Sequence, residues 1–189
     1  MRPGIIIIVS LLALVGAAFG VRQYAPQILP DQFTTDAVLA DRLRAQLAED
    51  ENGAAFFEAF ERLFPADHQV LLQEYVDLYR RGGTQEQAFA LSEGYMSRFI
   101  ADNTRYASGA DAETLVMLGG KIGEGITALR SENPVLCAQY MREGAAPVLR
   151  PNMMSPAARV VFTRIGTAML ESIANGKRTG ATYAEPTEE

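Results

Sequence analysis

The chain of 189 residues contains no tryptophan, one histidine and one cysteine. A single cysteine excludes an intrachain disulfide, so the apolar core must stabilise the fold. A chain of this length can bury enough apolar surface to do so. One histidine excludes most zinc and di-iron ligand sets, and the spacings E-x-x-H and H-x-x-x-H do not occur. The sequence therefore predicts no metal site, no cofactor and no catalytic residue, which favours a non-enzymatic protein.

Basic residues are also scarce in most of the chain. Beyond residue 22 there are 15 Lys and Arg against 23 Asp and Glu, a net charge of −8. A nucleic-acid binder needs a concentrated basic surface to contact phosphates. We therefore expect no nucleic-acid partner, and we attribute the acidity mainly to solubility.

The chain does have one long apolar run, at its start. Residues 4–21 read GIIIIVSLLALVGAAFGV, eighteen residues without a charge. A helix of that length, at about 1.5 Å per residue, just crosses a hydrocarbon core about 30 Å thick. Residues 1–22 are therefore predicted to be a retained single-pass anchor in the inner (cytoplasmic) membrane, with the C-terminal domain exported.

A cleaved signal peptide is the alternative for residues 1–22. Arg2 would form the positive n-region, and the small residues between Val15 and Gly20 offer several cleavage sites. Both interpretations keep Arg2 in the cytoplasm and export the rest of the chain. Cleavage would leave a periplasmic or secreted protein.

The remaining chain divides into three parts. Residues 23–34 contain two prolines and are interpreted as a spacer, residues 35–176 as a helical domain, and residues 177–189 as a disordered tail. Apolar residues recur at helical spacing in the domain, and no strand alternation persists. We predict an all-α fold of six or seven helices in a compact bundle or an orthogonal array. N-caps are predicted at Thr84, Asp111, Asn133 and Ser155, and helix ends at Gly82-Gly83, Gly144 and Gly176.

Residues 53–64 carry an aromatic stripe, formed by Phe56, Phe57, Phe60, Leu63 and Phe64. This spacing places the side chains on one helix face. We interpret the stripe as core, with Phe60 at its centre. The alternative is a groove that binds a small apolar ligand.

Residues 118–127 (LGGKIGEGIT) form the glycine-rich run of the chain. They do not match a phosphate-binding loop, because no strand precedes them and Lys121 follows the first glycine pair. We expect the glycines at 119, 123 and 125 to permit the close approach of a neighbouring helix or to mark a kink. Each glycine costs a helix about 1 kcal/mol relative to alanine, so this segment is expected to be irregular or mobile.

The residues with potential chemistry are interpreted structurally. Cys137 has apolar neighbours and is interpreted as a small core residue. His68, in the first turn after Pro65, is interpreted as a neutral surface or capping residue. Four helical carboxylates are expected on solvated faces: Glu58, Glu61, Glu74 and Asp77.

Two functions are consistent with these patterns. The first is a membrane-tethered, non-enzymatic helical domain, which contacts an unidentified protein partner on the exported side of the membrane. The anchor and spacer would keep such a domain near the bilayer and raise its effective concentration there. The second is a cleaved, soluble periplasmic or secreted carrier that holds a small apolar ligand between its helices.

Overall fold

The computed structural model describes residues 35–48, 51–143 and 155–180. These residues form seven α-helices and no strand, which confirms the prediction of an all-α fold. The helices are α1 (Asp36–Ala48), α2 (Glu51–Leu63), α3 (Pro65–Arg80), α4 (Gln85–Ala107), α5 (Ala112–Glu132), α6 (Pro134–Glu143) and α7 (Pro156–Thr179).

The predicted anchor or signal (1–22), the spacer up to residue 34 and the predicted cap at Gly144 lie outside the described residues. Within the described helices, no segment combines the length and the apolarity that a membrane crossing requires.

The predicted N-caps are confirmed. Thr84 and Gln87 form a complete capping box: Gln87 N–H donates to Thr84 Oγ1 at 3.3 Å, and Thr84 N–H donates to Gln87 Oε1 at 2.9 Å. The side-chain oxygens of Asp111, Asn133 and Ser155 accept backbone N–H bonds in the first turns of α5, α6 and α7. These bonds satisfy donors that a helix N-terminus otherwise leaves unpaired.

Helix α7 is the central helix of the bundle and packs against α2, α4 and α5. Buried residues occur along almost its whole length, from Ala158 to Gly176, and include Phe162, Ile165, Met169, Leu170 and Ile173. A helix that is apolar on more than one face is stable only when several neighbours cover it. The last long helix of the chain therefore organises the helices that precede it.

The expectation of an irregular segment in the glycine run is wrong. Helix α5 is continuous from Ala112 to Glu132. Leu118, Gly125 and Leu129 are buried on one face of it, and tertiary packing of that face outweighs the poor helix propensity of glycine.

The close approach predicted for the glycines holds at one of the three positions. A Cβ at Gly125 would lie 2.5 Å from Ile165 Cδ1 of α7, whereas a Cβ at Gly119 or Gly123 would meet nothing within 4 Å. Only Gly125 of these three is therefore required by packing inside the domain.

The predicted helix end at Gly176 is also wrong. Helix α7 continues to Thr179 and ends at Gly180, which adopts a left-handed conformation with φ 66°. Lys177 Nζ lies between 5.3 and 6.0 Å from the ring centres of Phe64, Phe99 and Tyr106. The apolar period of α7 ends before residues 177–179. The sequence therefore does not show that this last turn contacts other helices. Residues 181–189 lie outside the described residues.

Candidate functional site

The aromatic stripe is part of the core. Phe60 is fully buried, and its ring centre lies 5.1 Å from that of Phe99 and 6.0 Å from that of Phe64. Tyr95 approaches the same ring edge-on at 6.4 Å. The edge-to-face pairs of Phe60 with Phe99 and Tyr95 add to the stability that area burial provides. The rings pack against one another, so the interpretation of the stripe as core is confirmed.

Cys137 is a core residue, as predicted. Its side chain is buried, and its Sγ lies 3.8 Å from the carbonyl oxygen of Ile126 in α5. Reactive thiols lie in partly open, electropositive surroundings. Cys137 therefore packs in the contact between α5 and α6.

His68 is not a surface residue, and this part of the prediction is wrong. It is 2 % exposed, in the first turns of α3, and its ring packs edge-on against Phe60 at 6.0 Å between centres. The helix has no side-chain N-cap bond, so His68 is not a cap either. The imidazole is neutral, because burial lowers its pKa below the ordinary value of 6.5. The sequence pattern missed the burial because α3 begins at Pro65 and turns this position toward α2.

A second buried polar group joins α3 to α4. The Tyr75 hydroxyl donates a hydrogen bond to Ser92 Oγ, and both side chains are buried. Burial raises the pKa of Tyr75, so the phenol stays neutral. The pair satisfies two polar groups inside the core and has a structural role.

The carboxylates are mostly solvated, as expected. Glu58, Glu61 and Asp77 are exposed, and Glu74 is half-buried. Within residues 35–48, 51–143 and 155–180, no group of three or more His, Cys, Asp and Glu side chains is arranged to hold a metal ion.

The outward surface of α5 carries exposed apolar side chains, which were not predicted from the sequence. Val116 is 75 % exposed, and Leu115 and Met117 beside it are 36 % and 38 % exposed. Removing an apolar side chain of this size from water is favourable in free energy. Val116 lies on the side of α5 that the described residues leave uncovered, and Leu115 and Met117 flank it to either side.

The same surface continues as a strip of small residues. At helical spacing, Val116, Gly120, Gly123 and Thr127 lie on one side of α5, opposite the side that packs on α7. All four are exposed, and a Cβ at Gly119, Gly120 or Gly123 would meet nothing within 4 Å. We call this surface, together with Leu115 and Met117, the outer face of α5.

The exposed glycines have no packing role inside the described domain. In a helix interior each costs about 1 kcal/mol relative to alanine. What they provide is bare helix backbone that another chain can approach closely. The sequence predicts a close neighbour at positions 119, 123 and 125, and inside the described domain that expectation holds only at Gly125. Glycine contributes no apolar signal to a helical period, so the sequence alone does not show which of the three a neighbouring helix covers.

The chain matches no protein-family model, and it has no significant match among curated proteins or solved structures.

Proposed function

We propose that the protein is a membrane-tethered, non-enzymatic domain that binds a helix of a partner protein through the outer face of α5. The observation that carries this proposal is the uncovered apolar and glycine surface around Val116, Gly120 and Gly123. Because Gly120 and Gly123 leave a flat strip of backbone, the surface fits a helix whose apolar side chains lie across it.

The N-terminal apolar run supports a partner at the same membrane. If residues 1–22 remain as an anchor and 23–34 as a spacer, the domain stays near the bilayer on its exported side. This tether raises the effective concentration of the domain for membrane-bound proteins, so a modest helix–helix surface suffices for binding.

The carrier function has less structural support. It requires the aromatic stripe to line an opening, whereas Phe56 and Phe60 are fully buried and Phe60 is in ring contact with its neighbours. This packing favours the contact function over the carrier.

Site-specific photo-crosslinking in native membranes tests the surface. A photoreactive residue replaces Val116 in the full-length chain, and the matched control replaces Val70, a valine of α3 that is 52 % exposed. We expect a protein adduct from position 116 and none from position 70. The substitutions Gly120→Leu and Gly123→Leu, made together in the same chain, cover the backbone strip. We expect them to remove the adduct without lowering the melting temperature.

Three outcomes would contradict the proposal. Equal labelling from both positions would reject the surface. An adduct of twice the chain mass would identify a second copy as the occupant, and an adduct with a small apolar molecule would support the carrier. The tether is tested separately: we expect the full-length protein to stay in the membrane pellet after a carbonate wash, and recovery in the supernatant would reject the anchor.

A further inference from the structure

Three exposed basic side chains lie at one end of the bundle, where the last turns of α7 meet the end of α4. They are Arg105 of α4 and Lys177 and Arg178 of α7. Two of them share a ring: the Arg105 guanidinium carbon lies 4.9 Å and Lys177 Nζ 5.3 Å from the centre of Tyr106. We call these four residues the basic corner. Basic residues at a helix end offset the helix dipole, but here two helix ends bring them to one ring in a chain that is acidic as a whole.

The cations of the basic corner have no carboxylate partner among the residues that the structure describes. Asp111, at the same end of the bundle, is already used: its carboxylate accepts the Thr114 N–H at 2.8 Å and an Asn175 side-chain N–H at 2.6 Å. Contact with a ring leaves most N–H groups of an ammonium or a guanidinium able to donate to an anion. An external carboxylate can therefore bind at the corner without displacing an existing ion pair.

An acidic segment follows the basic corner in the chain. Residues 181–189 read ATYAEPTEE, with three glutamates and no basic residue. The three negative charges of this segment equal in number the three positive charges of the corner. A segment that is attached beside its binding surface has an effective concentration of about millimolar there, so weak individual ion pairs suffice to hold it.

The segment is long enough to return to the corner. Helix α7 ends at Gly180, whose left-handed conformation with φ 66° turns the chain off the helix axis. An extended chain covers about 3.3–3.6 Å per residue, so Glu185 can lie up to about 17 Å from Gly180. Lys177 and Arg178 precede Gly180 by less than one helical turn, which places them within this reach.

We propose that the basic corner is a docking surface for an acidic, extended peptide, and that the chain's own segment 181–189 occupies it. The carboxylates of Glu185, Glu188 and Glu189 accept hydrogen bonds from the three cations, while the ring contacts keep Arg105 and Lys177 in place. The docking is electrostatic, so it weakens as salt shortens the Debye length to about 3 Å at about 1 M. It does not depend on the outer face of α5.

Paramagnetic relaxation enhancement in the full-length chain, in zwitterionic micelles, tests the docking. A spin label is attached at Thr187→Cys in a Cys137→Ala background, which keeps all three glutamates. We expect strong enhancement at the amides of residues 103–109 at low salt, and enhancement several-fold weaker at about 1 M salt. The amides of residues 86–91, about 25 Å away along α4 at about 1.5 Å per residue, are the internal reference and should change little.

Charge variants separate docking from the mere attachment of the segment beside the corner. Replacing Glu185, Glu188 and Glu189 together by Gln should reduce the low-salt enhancement several-fold. Arg178→Gln should reduce it as well. The matched control is Arg164→Gln, the same change at an exposed position of α7 outside the corner, and it should leave the enhancement unchanged.

Enhancement that is equally strong with the neutral segment, or that does not fall with salt, would overturn the inference, because attachment at Gly180 alone would then account for it. An equal loss in Arg164→Gln and Arg178→Gln would reduce the effect to net charge and would also overturn it. Spin-labelled chains are finally mixed with isotope-enriched chains that carry no label. Enhancement in this mixture would show that the segment of a second copy occupies the corner, which would contradict docking within one chain.

Discussion

Gly176 of α7 lies so close to the backbone carbonyl of Tyr106 that a side chain of even one carbon would overlap the carbonyl oxygen. The last turns of α7 thus dock directly on the end of α4. Neighbouring side chains reinforce the contact: the Thr179 hydroxyl donates to the Gly109 carbonyl oxygen at 2.9 Å, and Asn175 Oδ1 accepts the Asp111 N–H at 3.0 Å. The end of the central helix is therefore anchored by backbone proximity as well as by apolar burial.

Gly176→Ala should destabilise the domain. Tyr106 can give way only if backbone moves, and overpacking of this kind costs about 1–3 kcal/mol or more. The matched control is Gly123→Ala in α5, where a Cβ meets nothing within 4 Å; removing an exposed helical glycine should stabilise the domain by about 1 kcal/mol. Urea melts of both variants measure the difference, and equal midpoints would contradict the packing described at Gly176.

Phe60→Ala should be among the most damaging single changes. The ring is fully buried and contacts Phe64, Tyr95 and Phe99, so truncation should cost about 3–5 kcal/mol. Glu58→Ala, an exposed change on the same helix, should stay within about 0.5 kcal/mol. A near-neutral Phe60→Ala in the same melts would show that this ring faces an opening, and it would return the carrier function to consideration.

Lys177→Gln should destabilise the domain although Lys177 is exposed. Its ammonium lies over three rings, those of Phe64, Phe99 and Tyr106, and cation–π contacts at exposed sites are worth about 0.5–1 kcal/mol. Arg164→Gln, which removes an exposed charge from the same helix, should change the melting temperature little. If both substitutions have the same effect, the position over the rings contributes nothing beyond net charge.

How much of this fold can be predicted from the sequence depends on whether a local sequence pattern encodes the feature. The capping box of Thr84 and the aromatic stripe around Phe60 were predictable, because capping needs a side-chain oxygen at a fixed spacing and burial needs an apolar period. Lys177 and His68 were misassigned. The rings around Lys177 are distant in sequence, and His68 is buried because α3 turns back against α2, where its ring meets Phe60. No local pattern encodes either contact.

The outer face of α5 is a second example of a feature that a local sequence pattern does not determine. A glycine in a helical period indicates either a close internal neighbour or an uncovered backbone, and the sequence does not distinguish them. Gly125 is the first case and Gly123 the second, although they are two residues apart. The positions of α6 and α7 determine which side of α5 is covered.

Cys137 should be nearly inert in the folded protein. It is 7 % exposed, and its Sγ faces the Ile126 carbonyl oxygen across the contact between α5 and α6. Labelling by a thiol reagent therefore requires local opening, and an opening free energy of about 3 kcal/mol makes labelling roughly 100-fold slower than in urea.

The control carries Val135→Cys with Cys137→Ala. Position 135 is on the same helix and is 75 % exposed in the native protein, so the introduced thiol should react at the rate of an unfolded chain. Native Cys137 reacting as fast as that control would show that α6 does not stay packed on α5. It would also reopen the question of whether the thiol has a chemical role.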